Sequence, residues 1–182
     1  MRTPYVVVSL VAFVAATPMI SAPAEPAPPP SCAEPGPVRR MDDLVRMSRA
    51  DLEDLFHRSE MTAPPSGFVR GRAIYKPGSR LTVPASNVTR VVWQGKVFRD
   101  DGIMVNRVFG LRAVHARIYS GLSTFDGQPA LILDYCGTSK LFPNVWDEVR
   151  QVSPGLYIGL TYVRRDTGPE LAMFFALDAR HR

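Results

Sequence analysis

The stretch 146–152, WDEVRQV, puts Asp147, Glu148 and Arg150 within four residues, inside a run that otherwise reads as a strand. Carboxylates and a guanidinium at this spacing are raw material for acid–base chemistry or for gripping a polar ligand head group. Strand alternation sets Trp146, Glu148, Arg150 and Val152 on one face and Asp147, Val149 and Gln151 on the other. If the first face looks inward, Glu148 and Arg150 pair there as a polar anchor beneath an apolar wall. If it looks outward, the same charges sit in solvent at a rim, where pairing contributes little. The sequence leaves both readings open.

Asp134 raises a similar question inside LILDY: alternation groups it with Ala130 and Ile132, against Leu131, Leu133 and Tyr135. A carboxylate in so apolar a run needs a partner, and Arg117 or Arg150 is the expected one. Tyr135 and Tyr157 are further polar candidates, with Tyr157 and Tyr162 on opposite faces of their strand. Trp93 is expected to floor or wall an interior, with Gly95 allowing close backbone approach. Lys96 reads either as an anchor for a carboxylate head group or as a surface lysine. Other chemistries find less support. The histidines, His57, His115 and His181, are scattered, and no G-x-S-x-G elbow is present. No Cys/His cluster suggests zinc, and no cofactor is expected; a haem held through His115 is a minor alternative.

The elements that must position these residues are mostly strands. Ser48 and Asp51 form a capping box for a helix whose Leu52, Leu55 and Phe56 share one face, with His57 turned to solvent. After TAPPSG the period changes. GFVRGRAIY reads as a strand. LTVPASNVTRVVW is ambiguous, with a valine spacing that suits a short crossover helix despite its β-branched residues. KVF and IMVNRVF form a hairpin through RDDG, and AVHARIYS and PALILDY are joined by FDGQ. The 146–163 hairpin turns at Pro154-Gly155, and LAMFFAL closes the series. About eight strands in sequential hairpins predict an antiparallel up-and-down β-barrel, which also removes exposed edges. An open sheet curled over the N-terminal helix is the alternative. A barrel of this size holds packed side chains or one small ligand.

The motif WQGKVF at 93–98, followed by DEVRQV and Gly159, resembles small bacterial lipocalin-like (calycin) proteins of the GXWXG type over residues 67–163; the early strand reads GFVRG, without the motif's tryptophan. The resemblance implies binding of a small, largely apolar molecule in a barrel cavity. The candidate ligand-binding residues are then Trp93, Tyr135, Glu148, Arg150 and Tyr157. An enzyme using the same cavity, with Asp134 or Glu148 as base, and an envelope interaction module with a filled barrel are the other readings.

Compartment comes from the N-terminus. Arg2, the apolar run 5–16 and the small residues of Ala22-Pro23-Ala24 have the layout of a secretory signal peptide over 1–24, too short to span a bilayer comfortably. A Pro-rich linker, 25–37, precedes the domain at 38–182. Prolines before Cys32 argue against lipidation. Export permits a Cys32–Cys136 disulfide, closing a loop for which chain entropy gives about 4–5 kcal/mol; two unpaired thiols are the alternative. The net charge of +5 is spread along the 182 residues rather than gathered into a nucleic-acid arm. It offers attraction to anionic envelope surfaces.

Overall fold

A computed structural model describes Val38 and residues 40–180. Eight antiparallel strands form one closed barrel in sequence order: β1 (Gly67–Ile74), β2 (Trp93–Phe98), β3 (Ile103–Val108), β4 (Leu111–Leu122), β5 (Pro129–Asp134), β6 (Val145–Ser153), β7 (Leu156–Arg165) and β8 (Gly168–Asp178). β1 closes on β8 in the register Arg70↔Asp178 to Ile74↔Phe174. The up-and-down barrel read from the hairpins is therefore the observed architecture.

Among the described residues, three short helices accompany it: α1 (Met41–Arg46), α2 (Arg49–Arg58) and α3 (Thr82–Val92). Ser48 caps α2 by the expected capping box with Asp51. The ambiguous stretch before Trp93 is helical, as α3. α1 has no counterpart among the predicted elements; its six residues are too few for a periodic signal.

Two apolar layers hold the domain together, one on each side of the barrel wall. Inside lie Val69, Phe98, Met104, Leu131, Leu133, Val149, Phe175 and Leu177. Outside, Leu44, Val45, Leu52, Leu55 and Phe56 from α1 and α2 pack on the outer face formed by Ile132, Trp146, Ile158, Leu160, Tyr162 and Phe174. Each fully buried side chain of this size contributes roughly 1.5–3 kcal/mol. Because β5 to β7 are covered on both faces, they lack the apolar–polar alternation of a strand with a wet side. After α2 the chain crosses one end of the barrel, where Glu60 pairs with Gln151 and Met61 packs against the interior.

Candidate functional site

The interior carries one polar cluster. Lys96 lies opposite Asn106 across β2 and β3, and Asp147 lies opposite Thr161 across β6 and β7. A bulge between Trp93 and Gly95 adjusts the side chains of β2. It depends on Gly95, whose φ of 138° and backbone approach exclude a Cβ, which would fall 2.1 Å from the carbonyl oxygen of Val69.

The Lys96 ammonium donates to Asn106 Oδ1 (3.1 Å), Tyr135 Oη (2.9 Å) and Asp147 Oδ2 (2.8 Å). Tyr135 donates to Asp147 Oδ2 at 2.9 Å and accepts from Asn106 Nδ2 at 2.9 Å. Thr161 donates to Asp147 Oδ1 at 2.7 Å, and Trp93 Nε1 donates to Asn106 Oδ1 at 2.8 Å. Rings of Trp93, Tyr135 and Phe175 stand 5.4, 5.6 and 5.1 Å from the ammonium. Among the described residues, no buried side-chain nitrogen or oxygen lacks a partner. Burial lowers the Lys96 pKa, an effect that Asp147 opposes. Burial also pushes the Tyr135 hydroxyl well above its usual range, helped by the Asp147 charge. An anion reaching Lys96 would have to displace one of its three acceptors.

Aromatic rings fill the space beside the cluster. Phe175 sits against Gly159, where an added Cβ would meet its ring at 2.1 Å, and Trp93 sits against Gly71, where the distance would be 2.5 Å. The two rings meet edge to face, with centroids 5.9 Å apart. Three clefts of about 460, 180 and 280 Å³ are lined largely by residues of the outer surface and the rim.

The candidates named from sequence do not form one site. Trp93 and Tyr135 belong to the interior cluster. Tyr157 also packs inside, but near the opposite end: Tyr135 bonds Val145 and Tyr157 pairs with Gln151, six residues further along β6, about 20 Å. Glu148 and Arg150 lie on the outward face, so the inward-facing pair considered above is corrected. The solvent-exposed alternative is corrected too, because both are buried beneath α2 and the β4–β5 turn.

Nor do these two charges pair with each other. Arg150 donates to Asp126 through both terminal nitrogens (2.8 and 2.6 Å) and to the carbonyls of Phe56, Gln128 and Pro129. All five donors are used, stapling α2 to the β4–β5 turn. Its guanidinium also lies 4.3 Å from the Phe56 ring centroid. Hydrogen bonding from Arg150 is the first cause holding the Asp126 carboxyl well below the usual range, and His57 Nδ1, 3.0 Å away, adds to it. Glu148 accepts from Ser123 Oγ, Thr124 N and Trp146 Nε1. Asp134 pairs with Arg164 at 3.2 Å rather than with Arg117 or Arg150. Cys136 is exposed and Cys32 lies outside the described residues, as do the signal peptide and most of the linker.

Sequence reasoning passed over Asn106 and Thr161, and it named Asp147 among the strand's charges without choosing it as a ligand-binding candidate. The available signal was parity: Asp147 shares a face with Val149, and Asn106 with Met104. No family model and no curated protein matches this chain. Among solved structures, the crystal structure of a protein from Thermomonospora curvata is similar at 19% identity and a TM-score of 0.50, over 75% of this chain and 90% of that one. At that identity the likeness is one of fold alone.

Proposed function

We propose that this chain is an exported barrel, akin to the GXWXG-type lipocalin-like proteins, that works as an interaction module of the cell envelope through its outer surface. One observation carries the reading: the interior is occupied by its own side chains, with rings seated against wall glycines and the polar cluster bonded to itself. A hydrophobic carrier needs a roomy apolar hollow. Acid–base catalysis needs a carboxylate free to exchange protons with a substrate, whereas Asp147 is salt-bridged to Lys96 and bonded by Tyr135 and Thr161. Native mass spectrometry of the purified chain tests the proposal. The expected spectrum shows the polypeptide mass alone; a stoichiometric small molecule surviving purification would contradict a filled barrel.

A second reading is a carrier of one small hydrophobic or amphipathic molecule. It is favoured by Lys96 lying behind Trp93, which is half-buried. A swing of Trp93 would open the cluster and offer the ammonium to an acidic head group. Trp93→Ala would then create measurable binding of a fatty-acid probe, where the filled-barrel reading expects only destabilisation.

A further inference from the structure

We infer that the end of the barrel carrying α3 docks onto an anionic lipid surface, a conclusion that rests on the outer-surface reading above. The starting observation is the orientation of α3. A surface helix ordinarily buries its apolar stripe and wets its polar face. This one does the reverse: Thr82 and Ser86 are 2% and 0% exposed, while Leu81 at its N-cap, Val88 and Val91 are 69%, 69% and 68% exposed. The polar face fastens the helix, with Val83 alone among its valines packed against the outer core. Arg72 Nε donates to Ser86 Oγ at 3.0 Å, Arg72 Nη2 to Asn87 Oδ1 at 2.8 Å, and Thr82 Oγ1 to the Lys76 carbonyl at 2.6 Å. Held this way, the helix presents valines to water that nothing in the domain covers.

The patch continues onto neighbouring loops. The Phe109 amide donates to the Val92 carbonyl at 2.8 Å, so the β3–β4 turn abuts the end of α3. That turn carries exposed Phe109 and Leu111, and the β5–β6 loop exposes Leu141 and Phe142. In an up-and-down barrel the entry to β2, the β3–β4 turn and the β5–β6 loop all fall at the same end. Exposed apolar side chains gathered at one end mark an interaction surface.

Charge selects the occupant. Lys76, Arg80, Arg90, Arg112 and Lys140 surround the patch, all exposed, and none makes an ion pair among the described residues. Arg90 also lines the cleft of about 460 Å³ on the outer side of β1, together with Arg70, Arg107 and Gln94; the cleft's two carboxylates, Asp42 and Asp178, are neutralised by Arg72 and Arg180. This is room for a phosphodiester head group beside the apolar helix face. The acid at this end is Asp166 of the β7–β8 turn, outnumbered by these cations, whereas the opposite end turns through Asp100 and Asp101, the latter paired with Arg99. Apolar side chains ringed by unpaired cations suit an interface of acyl chains beneath anionic head groups, and a neutral protein partner would leave the cations unanswered.

Flotation of the exported chain, beginning after Ala24, with vesicles tests this, using phosphatidylcholine mixed with phosphatidylglycerol against phosphatidylcholine alone. Wild type is expected to float with the mixed vesicles and not with the neutral ones. Val88→Asp with Val91→Asp is expected to weaken flotation at least tenfold while the thermal midpoint is kept. Leu111→Ser with Leu141→Ser, on separate loops, provides the same test if the helix variant fails to fold. Unchanged flotation of the variants would show attachment through another part of the chain and overturn the proposal, as would equal flotation on both vesicles or none. A molecule lodged in the barrel would sink the function proposed above and leave these outcomes untouched, so the two failures are distinguishable.

Discussion

Lys96 Nζ stands 2.8 Å from Asp147 Oδ2, with side chains 3% and 2% exposed, and the two are joined from opposite sides of the barrel. Taking both charges out of water is costly, and their attraction offsets this only with good geometry and further hydrogen bonds. Asn106, Tyr135 and Thr161 supply those bonds. The pair therefore crosslinks the two halves of the wall while occupying space that a ligand would need.

Removing one partner leaves a buried charge alone. Lys96→Met and Asp147→Leu are each expected to cost about 3–5 kcal/mol. The double variant should recover most of that loss. Urea denaturation of all four proteins measures it, and single costs that simply add would contradict a coupled, dry pair.

Acid stability should depend on Asp126. Its folded pKa is held below the unfolded value by Arg150, so the unfolded chain takes up the proton first as pH falls. The stabilisation is complete above about pH 4 and is lost as pH drops towards the folded pKa. Asp126→Asn should cost about 3–5 kcal/mol at neutral pH by leaving buried Arg150 without its anion, and should flatten the acid limb. Urea midpoints down to about pH 2–3 test this; an unchanged acid limb in the variant would contradict it.

The same two clusters show what a sequence can and cannot disclose. Turn residues and strand spacing were enough for eight sequential strands, and parity correctly separated Asp147 from Glu148 and Arg150. Parity could not say which side faces in. On β6 the outward Trp146, Glu148 and Arg150 are as buried as the inward Asp147 and Val149, because α2 and the β4–β5 turn cover them. The local pattern is blind to a covering layer contributed from far along the chain. Lys96 was legible as a candidate, but its burial was not, since three of the groups that satisfy it come from β3, the end of β5 and β6. α3 teaches something else: the valine spacing discloses the helix but not its facing, for Val83 packs against the outer core while Val88, Val91 and Val92 are left outside.

The close seating of Phe175 against Gly159 predicts a steric result. Gly159→Ala should destabilise by about 1–3 kcal/mol through overpacking. Adding Phe175→Leu should restore part of it by freeing room for the methyl. Thermal melts of the single and double variants decide this. A neutral Gly159→Ala would mean that the interior has slack.

The proposed export predicts a processed chain. Protein recovered from the envelope or medium of an expressing bacterium should begin after Ala24, as N-terminal sequencing or intact mass would read. A chain that keeps residues 1–24 and stays in the cytoplasm would contradict the envelope assignment.

Methyl NMR of the labelled chain titrated with anionic lipid nanodiscs tests the central claim most directly, because it reads inside and outside together. Methyls of Val88, Val91, Leu111 and Leu141 are predicted to shift or broaden, while those of Val69, Leu131, Leu133, Val149 and Leu177 stay in place. Saturable shifts of the interior methyls with the outer ones unmoved would contradict it and make the barrel a carrier.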